Sequence, residues 1–126
     1  MNTFDFGPEV AHHIDRFGSD FFMSRLIRSE NLHVGCMRLG PGGLVGYHRA
    51  VATQLFAVVE GEGWVRGKGS DHIPIQAGQA ALWESGEQHE AGTDSGMIAI
   101  VVEGDLLSGG TVDIGPRGRQ TGDARD

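Results

Sequence analysis

Two histidines, His48 and His89, are the residues of this 126-residue chain whose type and setting best suit a chemical site. Each lies in a short β-type run, and His48 is followed six residues later by Gln54, which begins the apolar run QLFAVVE. Neutral imidazole ligates metals and titrates near neutral pH, and a glutamine amide both donates and accepts hydrogen bonds. These three side chains are therefore suited to orienting a polar ligand, coordinating a divalent ion or transferring a proton.

The elements that would position these residues are short strands. Apolar, β-branched runs alternate with turn-forming residues, and no segment has the 3.6-residue apolar period of a helix. Strands are predicted at residues 21–28, 32–39, 44–51, 54–60, 64–66, 72–76, 79–84, 88–93 and 97–103, with Gly61-Glu62-Gly63 ending the strand before it. Many of the 21 glycines fall between these runs, which is typical of tight hairpins. The pattern predicts an all-β sandwich, barrel or jelly roll of short antiparallel strands.

The length of the chain is that of one domain. Residues 1–20 lack a sustained period and are predicted to form an extended N-terminal arm with room for one strand. Residues 21–107 are predicted to form the β-barrel. Residues 108–126, rich in Gly, Arg and Asp, are predicted to be a disordered C-terminal tail.

The composition excludes several classes of partner. The net charge is −7 and no run of Lys or Arg is present, so the chain is not expected to bind nucleic acid. No apolar stretch approaches the ~20 residues that cross a bilayer, so no membrane partner is expected. Cys36 is the single cysteine, which precludes an intrachain disulfide, and no secretory leader is recognisable. A cytoplasmic location is therefore expected, with Cys36 acting as a small buried apolar residue.

The centre of the chain, residues 32–103, resembles the cupin superfamily through two spaced motifs. The first motif is Gly, five residues, His-x-His, three or four residues, Glu, six residues, Gly; Gly42, His48 and Gly61 occupy its positions here. The second is Gly, five residues, Pro-x-Gly, two residues, His, three residues, Asn; its positions hold Gly78, Gly86 and His89. The resemblance implies a cupin jelly-roll β-barrel with one central pocket, and commonly a homodimer.

The chain departs from the family at two of the four positions that hold a metal in cupins. Ala50 stands where the family has its second histidine, and Gln54 stands where it has a glutamate. The resemblance then leaves His48, His89 and Gln54 as metal ligands, able to hold Zn, Ni, Mn or Fe only weakly. Because Gln54 offers a neutral oxygen instead of a carboxylate, we predict that no metal is tightly bound. His33 is a possible substitute ligand if its side chain points inward.

The remaining candidates concern the wall of the pocket. Phe56 and Trp83 are predicted to line it together with the polar residues, although packing inside the barrel is the alternative. Tyr47 adjoins His48, so on a regular strand it faces the other way. The pair His12-His13 and the turn residue His72 are predicted to be structural or exposed.

Apolar surface for a homodimer is available on four phenylalanines near the N-terminus, namely Phe4, Phe6, Phe21 and Phe22.

Three functions are compatible with these residues. In the first, a small-molecule ligand is oriented by His48, Gln54 and His89 through hydrogen bonds, without chemistry. In the second, the same residues, or His33, hold a labile metal in an isomerase or oxygenase. In the third, a histidine is the general base of a metal-free isomerase or lyase. The first function is the main prediction, and the sequence leaves open whether the chain is an enzyme.

Overall fold

The computed structural model of the chain describes residues 1–69, 71–105 and 112–117. In these ranges the regular structure is β-strand apart from two single-turn 3-10 helices, Pro8–Val10 and Arg16–Gly18. The strands are β1 (His12–Ile14), β2 (Phe21–Arg28), β3 (His33–Leu39), β4 (Leu44–Arg49), β5 (Gln54–Gly67), β6 (Ile73–Gln76), β7 (Ala80–Trp83), β8 (Gln88–Gly92) and β9 (Met97–Glu103). The tail predicted at 108–126 lies outside the described residues except for 112–117.

The strands form one curled antiparallel sheet with the order β1-β2-β3-β9-β5-β8-β4. Strand β5 joins its two halves: its first part pairs with β7 and β9, and its second part pairs with β6 and β8. Because every described pair is antiparallel and the sheet closes on itself through β5, the architecture is a jelly-roll barrel. The all-β prediction is confirmed.

The strand end predicted at Gly61-Glu62-Gly63 is wrong, because β5 continues through these residues. The strand bends instead, at a register shift between Val58 and Glu60 followed by Gly61 with φ +79°. A β-carbon at Gly61 would collide with the carbonyl group of Gly96. Glycine therefore lets β5 bend sharply and pass from one half of the sheet to the other while its pairing continues.

The barrel interior is filled by alternating side chains of both halves. Its buried apolar core includes Phe21, Met37, Phe56, Val58, Val65, Ile75, Trp83, Met97, Ala99 and Val101. On the first half of the sheet these residues occupy every second position, as expected when one face of a strand is inside.

One cross-strand row of side chains is unusually polar. Arg28 on β2 is paired with His33 on β3, His33 with Glu103 on β9, Glu103 with Gln54 on β5, and Gln54 with Trp83 on β7. Directly paired residues project on the same side of a sheet. The register therefore brings four polar side chains from distant parts of the chain onto one face of the barrel.

A β-bulge in β2 adds a second arginine to that face. Arg25 is paired with Gly35 and Arg28 with His33, with a register shift between Arg25 and Ile27. Positions three residues apart on a regular strand face opposite sides, but one extra residue in the bulge restores the same side. Both arginines consequently line the barrel cavity.

The N-terminal arm covers the outer face of β2 and β3. The hydroxyl of Ser24 and the guanidinium of Arg38 both donate to the carbonyl oxygen of Phe6, at 3.5 and 3.4 Å. Cys36 lies on β3 and is 1% exposed, and burial raises the pKa of its thiol against the opposing charge of Arg38. The prediction that Cys36 is a buried residue is confirmed. None of the described segments forms a helix of the length and apolarity that spanning a bilayer would require.

Candidate functional site

A cavity of about 290 Å³ opens inside the barrel, lined by side chains from β1 to β5, β8 and β9. His48, Gln54 and His89 are its deep polar residues, and we call them the floor. Gln54 and His89 are 4% and 1% exposed. The rim consists of exposed or partly exposed titratable residues, namely Arg16, Arg25, Arg28, His33 and Glu103. The cavity is near the lower end of the size range of ligand pockets, which suits a small ligand.

The two floor histidines come from neighbouring strands. His48 on β4 and His89 on β8 are direct cross-strand partners, and their ring centroids are 4.3 Å apart with planes inclined by 55°. Nδ1 of His48 lies 2.7 Å from the carbonyl oxygen of Gly46. A carbonyl oxygen only accepts, so Nδ1–H is the donor. In the neutral form of the ring, His48 therefore presents a hydrogen-bond acceptor at Nε2.

The other face of the His48 ring is covered by Phe17. The two rings are parallel within 2°, with centroids 4.5 Å apart, although Phe17 is 61% exposed. Phe17 has φ +58°, which is uncommon for a residue with a β-carbon. Its carbonyl group lies against Gly46, where a β-carbon would collide with it. The close approach at Gly46 and the strained backbone at Phe17 together hold the aromatic ring on His48.

The side chain of His89 is surrounded by packed rings and makes no hydrogen bond to the described residues. It is 1% exposed, and neither ring nitrogen has a hydrogen-bond partner in the described part of the chain. The indole of Trp83 lies 4.6 Å away on one side and His48 lies on another. Burial, and secondarily the charge of His48, lower the pKa of His89 from 6.5 to about 4. The backbone of Glu87 opposes this shift, but without a hydrogen bond of good geometry. His89 is therefore neutral at neutral pH.

The third floor residue, Gln54, lies opposite a carboxylate that sequence reasoning missed. Gln54 is the direct partner of Glu103, which also lines the cavity. Glu103 Oε1 lies 3.9 Å from Nδ1 of His33. Register is what places Glu103 here, so inspection of its local sequence could not have identified it. The same register places the side chain of His33 on the cavity side of the sheet, where it forms part of the rim.

Phe56 and Trp83 stand behind the floor instead of lining the cavity. Their rings meet edge to face, 6.0 Å apart, and both residues are almost fully buried. Trp83 contacts His89 directly, so it supports the floor without reaching the open space. The structure thus places these two predicted pocket residues in the core, and neither is among the residues that line the cavity. Tyr47 points away from the site, as predicted, and lies 4.3 Å beneath the guanidinium of Arg66.

The residues of the floor do not fit a tightly held divalent metal. The described residues contain no cluster of three or more His, Cys, Asp or Glu side chains able to hold an ion. Catalytic zinc sites commonly use three protein ligands of these types, whereas the floor offers two imidazoles and a neutral amide. Ala50 lies just beyond β4, hydrogen-bonded through its backbone to Gly86 and Glu87, and supplies no donor atom.

The rim arginines are the other feature missed at the sequence level. Arg25 reaches the cavity by regular alternation along β2, Arg28 reaches it because of the bulge that follows Arg25, and Arg16 reaches it from the 3-10 turn beside Phe17. The alternation of Phe21, Met23 and Arg25 is the one local signal that could have indicated part of this arrangement. Together the three guanidinium groups outnumber the single rim carboxylate, Glu103.

Comparison with known proteins gives a consistent picture. No family model matches the chain. An "Oxalate-binding protein" of Thermotoga maritima is 30% identical over 90 residues, which are 64% of this chain and 74% of that protein. The structure of a predicted oxalate decarboxylase from Thermotoga maritima superposes with a TM-score of 0.65 at 25% identity, covering 73% of this chain and 89% of the other.

Two further solved structures share the fold at lower identity. A cupin-like protein from Thermotoga maritima superposes with a TM-score of 0.70 at 19% identity, covering 84% of this chain and 83% of that one. An RmlC-like cupin from Shewanella frigidimarina superposes with a TM-score of 0.67 at 23% identity, covering 86% of this chain and 95% of the other.

Proposed function

This chain belongs to the cupin superfamily, and we propose that it binds a small polar organic molecule in the barrel cavity through His48, Gln54 and His89. The observation that carries the proposal is His89, which is 1% exposed with both ring nitrogens unpartnered in the described residues. A buried polar group left without a hydrogen bond costs about 1–3 kcal/mol. A ligand that bonds to His89 would recover this free energy.

The chemistry of the floor defines what such a ligand offers. His89 is neutral, because its pKa is about 4, so it presents one N–H donor and one acceptor nitrogen. The neutral form of His48 presents an acceptor at Nε2, and Gln54 presents an amide that donates and accepts. A neutral group that both donates and accepts, such as a hydroxyl or a carboxylic acid, or a carbonyl that accepts, matches this set better than an isolated cation.

The relatives support small organic acids as the first compounds to test. The protein of Thermotoga maritima that is 30% identical is named for oxalate binding, and the structure that is 25% identical is described as a predicted oxalate decarboxylase. Oxalate and small hydroxy or oxo acids are of a size that suits a cavity of about 290 Å³.

The protonation state of His89 favours ligand binding over metal-free acid–base catalysis as the function of the cavity. A general base works best when its pKa is close to the working pH. The pKa of His89, about 4, makes it a weak base at neutral pH. A buried, neutral, unpartnered imidazole is instead well suited to forming hydrogen bonds with a ligand.

The test is a calorimetric titration of the purified chain with oxalate, glycolate, lactate and pyruvate. We expect at least one of them to bind, and His89→Phe, which keeps the ring volume but removes both nitrogens, to weaken binding about 10-fold or more. His89→Gln serves if the first variant does not fold. His72→Gln is the matched control, because His72 stacks on Trp64 outside the cavity. The proposal fails if no compound binds, or if both His89 variants bind as the natural chain does.

A further inference from the structure

We infer that the rim is a carboxylate-binding subsite, so that the ligand is a small organic acid held at both ends. Its carboxylate contacts Arg25 and Arg28, and its hydroxyl or carbonyl group contacts the floor. This inference rests on the proposed function, because it concerns the same cavity. It specifies the class of ligand, because it predicts that the cavity binds an anionic acid more tightly than a neutral analogue. It also assigns this preference to Arg25 and Arg28.

The placement of the two arginines is the first argument. The bulge in β2 brings Arg28 to the cavity side, where Arg25 already lies, so the two arginines are neighbours along the strand. β1 pairs only with Phe21–Met23 of β2, so the segment that carries the arginines is the open edge of the sheet. A guanidinium group at such an edge can meet a carboxylate in its own plane and donate two parallel N–H···O hydrogen bonds to it.

The charge balance is the second argument. The whole chain has a net charge of −7, yet the cavity is lined by three arginines and one carboxylate. Ion pairs in the described ranges join His13 to Asp20, His33 to Glu103 and Arg66 to Glu90; none involves Arg16, Arg25 or Arg28. A concentration of positive charge in a concave site of an acidic protein raises the local concentration of anions.

The separation of rim and floor is the third argument. The floor offers two imidazoles and an amide for hydrogen bonds, whereas the rim supplies the guanidinium groups. Arg28 and Gln54 belong to one cross-strand row, three strands apart, which places their backbones about 15 Å or less from each other. Both residues line the same cavity, so a compact molecule can contact both of them.

A second groove, outside the barrel cavity, could also engage the two arginines. Arg25 and Arg28 also border a shallow groove beneath the N-terminal arm, where Asp5 is the nearby carboxylate. Neither arginine forms an ion pair with Asp5 in the structure. The guanidinium groups are thus available to the cavity, and the charge of Asp5 can be removed as an independent check.

The experiment compares acids with their amides, which differ in charge but hardly in size. Lactate and lactamide, and glycolate and glycolamide, are titrated into the natural chain, the double variant Arg25→Gln/Arg28→Gln, and the control Arg49→Gln. Arg49 is exposed and does not line the cavity. We expect the natural chain and the control to prefer each acid by about 10-fold or more, and the double variant to lose this preference while keeping its affinity for the amide. The preference should weaken with added salt.

The outcomes separate this inference from the proposed function. If the double variant keeps the acid preference while His89→Phe weakens both acid and amide, the rim assignment is overturned and the floor stands. If the arginine substitutions abolish acid binding but His89→Phe has no effect, the floor assignment is overturned. Inorganic phosphate binding as tightly as the acids would overturn the organic-acid class, and recovery of the double variant's preference by Asp5→Asn would place the effect in the outer groove.

Discussion

His48 and His89 lie directly opposite each other on β4 and β8, yet in the described residues only His48 has a hydrogen-bond partner. The Gly46 carbonyl and the Phe17 ring fix the orientation and tautomer of His48. The His89 ring contacts Trp83 and His48, and its nitrogens have no hydrogen-bond partner in the described residues. The pair therefore combines one oriented acceptor with one imidazole that is free to choose its tautomer to suit a ligand.

The buried state of His89 predicts a pH-dependent stability. Its pKa is about 4 in the folded chain and 6.5 for an ordinary histidine, so the unfolded chain binds more protons between these values. The free energy of unfolding should therefore fall as the pH falls from 6.5 to about 4, with at most about 3 kcal/mol from this group. Urea unfolding at several pH values measures the effect.

His89→Phe removes the titrating group, so its stability should change less than that of the natural chain across this window. His72→Gln keeps His89 and should follow the natural chain. Parallel curves for the natural chain and His89→Phe would show that the imidazole of His89 is not buried in its neutral form.

Phe17 provides a prediction with an internal control. Phe17→Ala and Phe17→Gly both remove the ring that stacks on His48, a contact worth about 0.5–1.5 kcal/mol. Glycine accepts φ +58° without strain and alanine does not, so Phe17→Gly should be more stable than Phe17→Ala by about 0.5–1 kcal/mol. Denaturant melts of the two variants decide the order, and a more stable alanine variant would mean that position 17 does not keep its positive φ.

The donor set of the floor predicts weak metal binding. Protein purified without added metal should carry less than one equivalent of transition metal, since the floor lacks a carboxylate ligand. Gln54→Glu adds that charge and should raise the affinity for Zn, Ni or Mn about 10-fold or more, as even outer-shell changes alter affinity by that amount. Elemental analysis and calorimetry provide the measurements.

Gln76→Glu is the matched control for charge, because Gln76 is exposed on β6 and does not line the cavity. It should leave metal affinity unchanged. A full, tight equivalent in the natural chain would contradict the prediction and would point to His33 or Glu103 as an additional ligand.

The exposed phenylalanines of the N-terminal arm lead us to predict that the chain associates with itself. Phe4 and Phe6 are 86% and 45% exposed, and Phe22 beside them is 43% exposed, whereas Phe21 is used in the chain's own core. We predict a homodimer at micromolar concentration, which Phe4→Ser/Phe6→Ser should dissociate by removing apolar contact area. Sedimentation velocity measures the mass, and Val51→Ser, at another exposed apolar residue, is the control. A monomeric natural chain would refute the prediction.

The strands could be predicted from the sequence because period-two alternation and glycine-rich turns are local signals. Strands β2, β3 and β9 begin or end within one residue of the predicted positions. The β5 bend could not be predicted, since the role of Gly61 depends on the carbonyl group of Gly96, which lies 35 residues further along the chain. A glycine in a strand and a glycine in a turn have the same local appearance.

For the site, the sequence by itself determined that His48, Gln54 and His89 stand at the spacings of two cupin motifs, and that Ala50 and Gln54 lack strong donor atoms. Only the tertiary structure decided that Glu103 stands opposite Gln54 and that His33 faces the cavity. It also turned Arg25 and Arg28 to the rim. The reason is that register and bulges arise from pairing between distant strands, and a shift of one residue reverses the face on which every side chain lies.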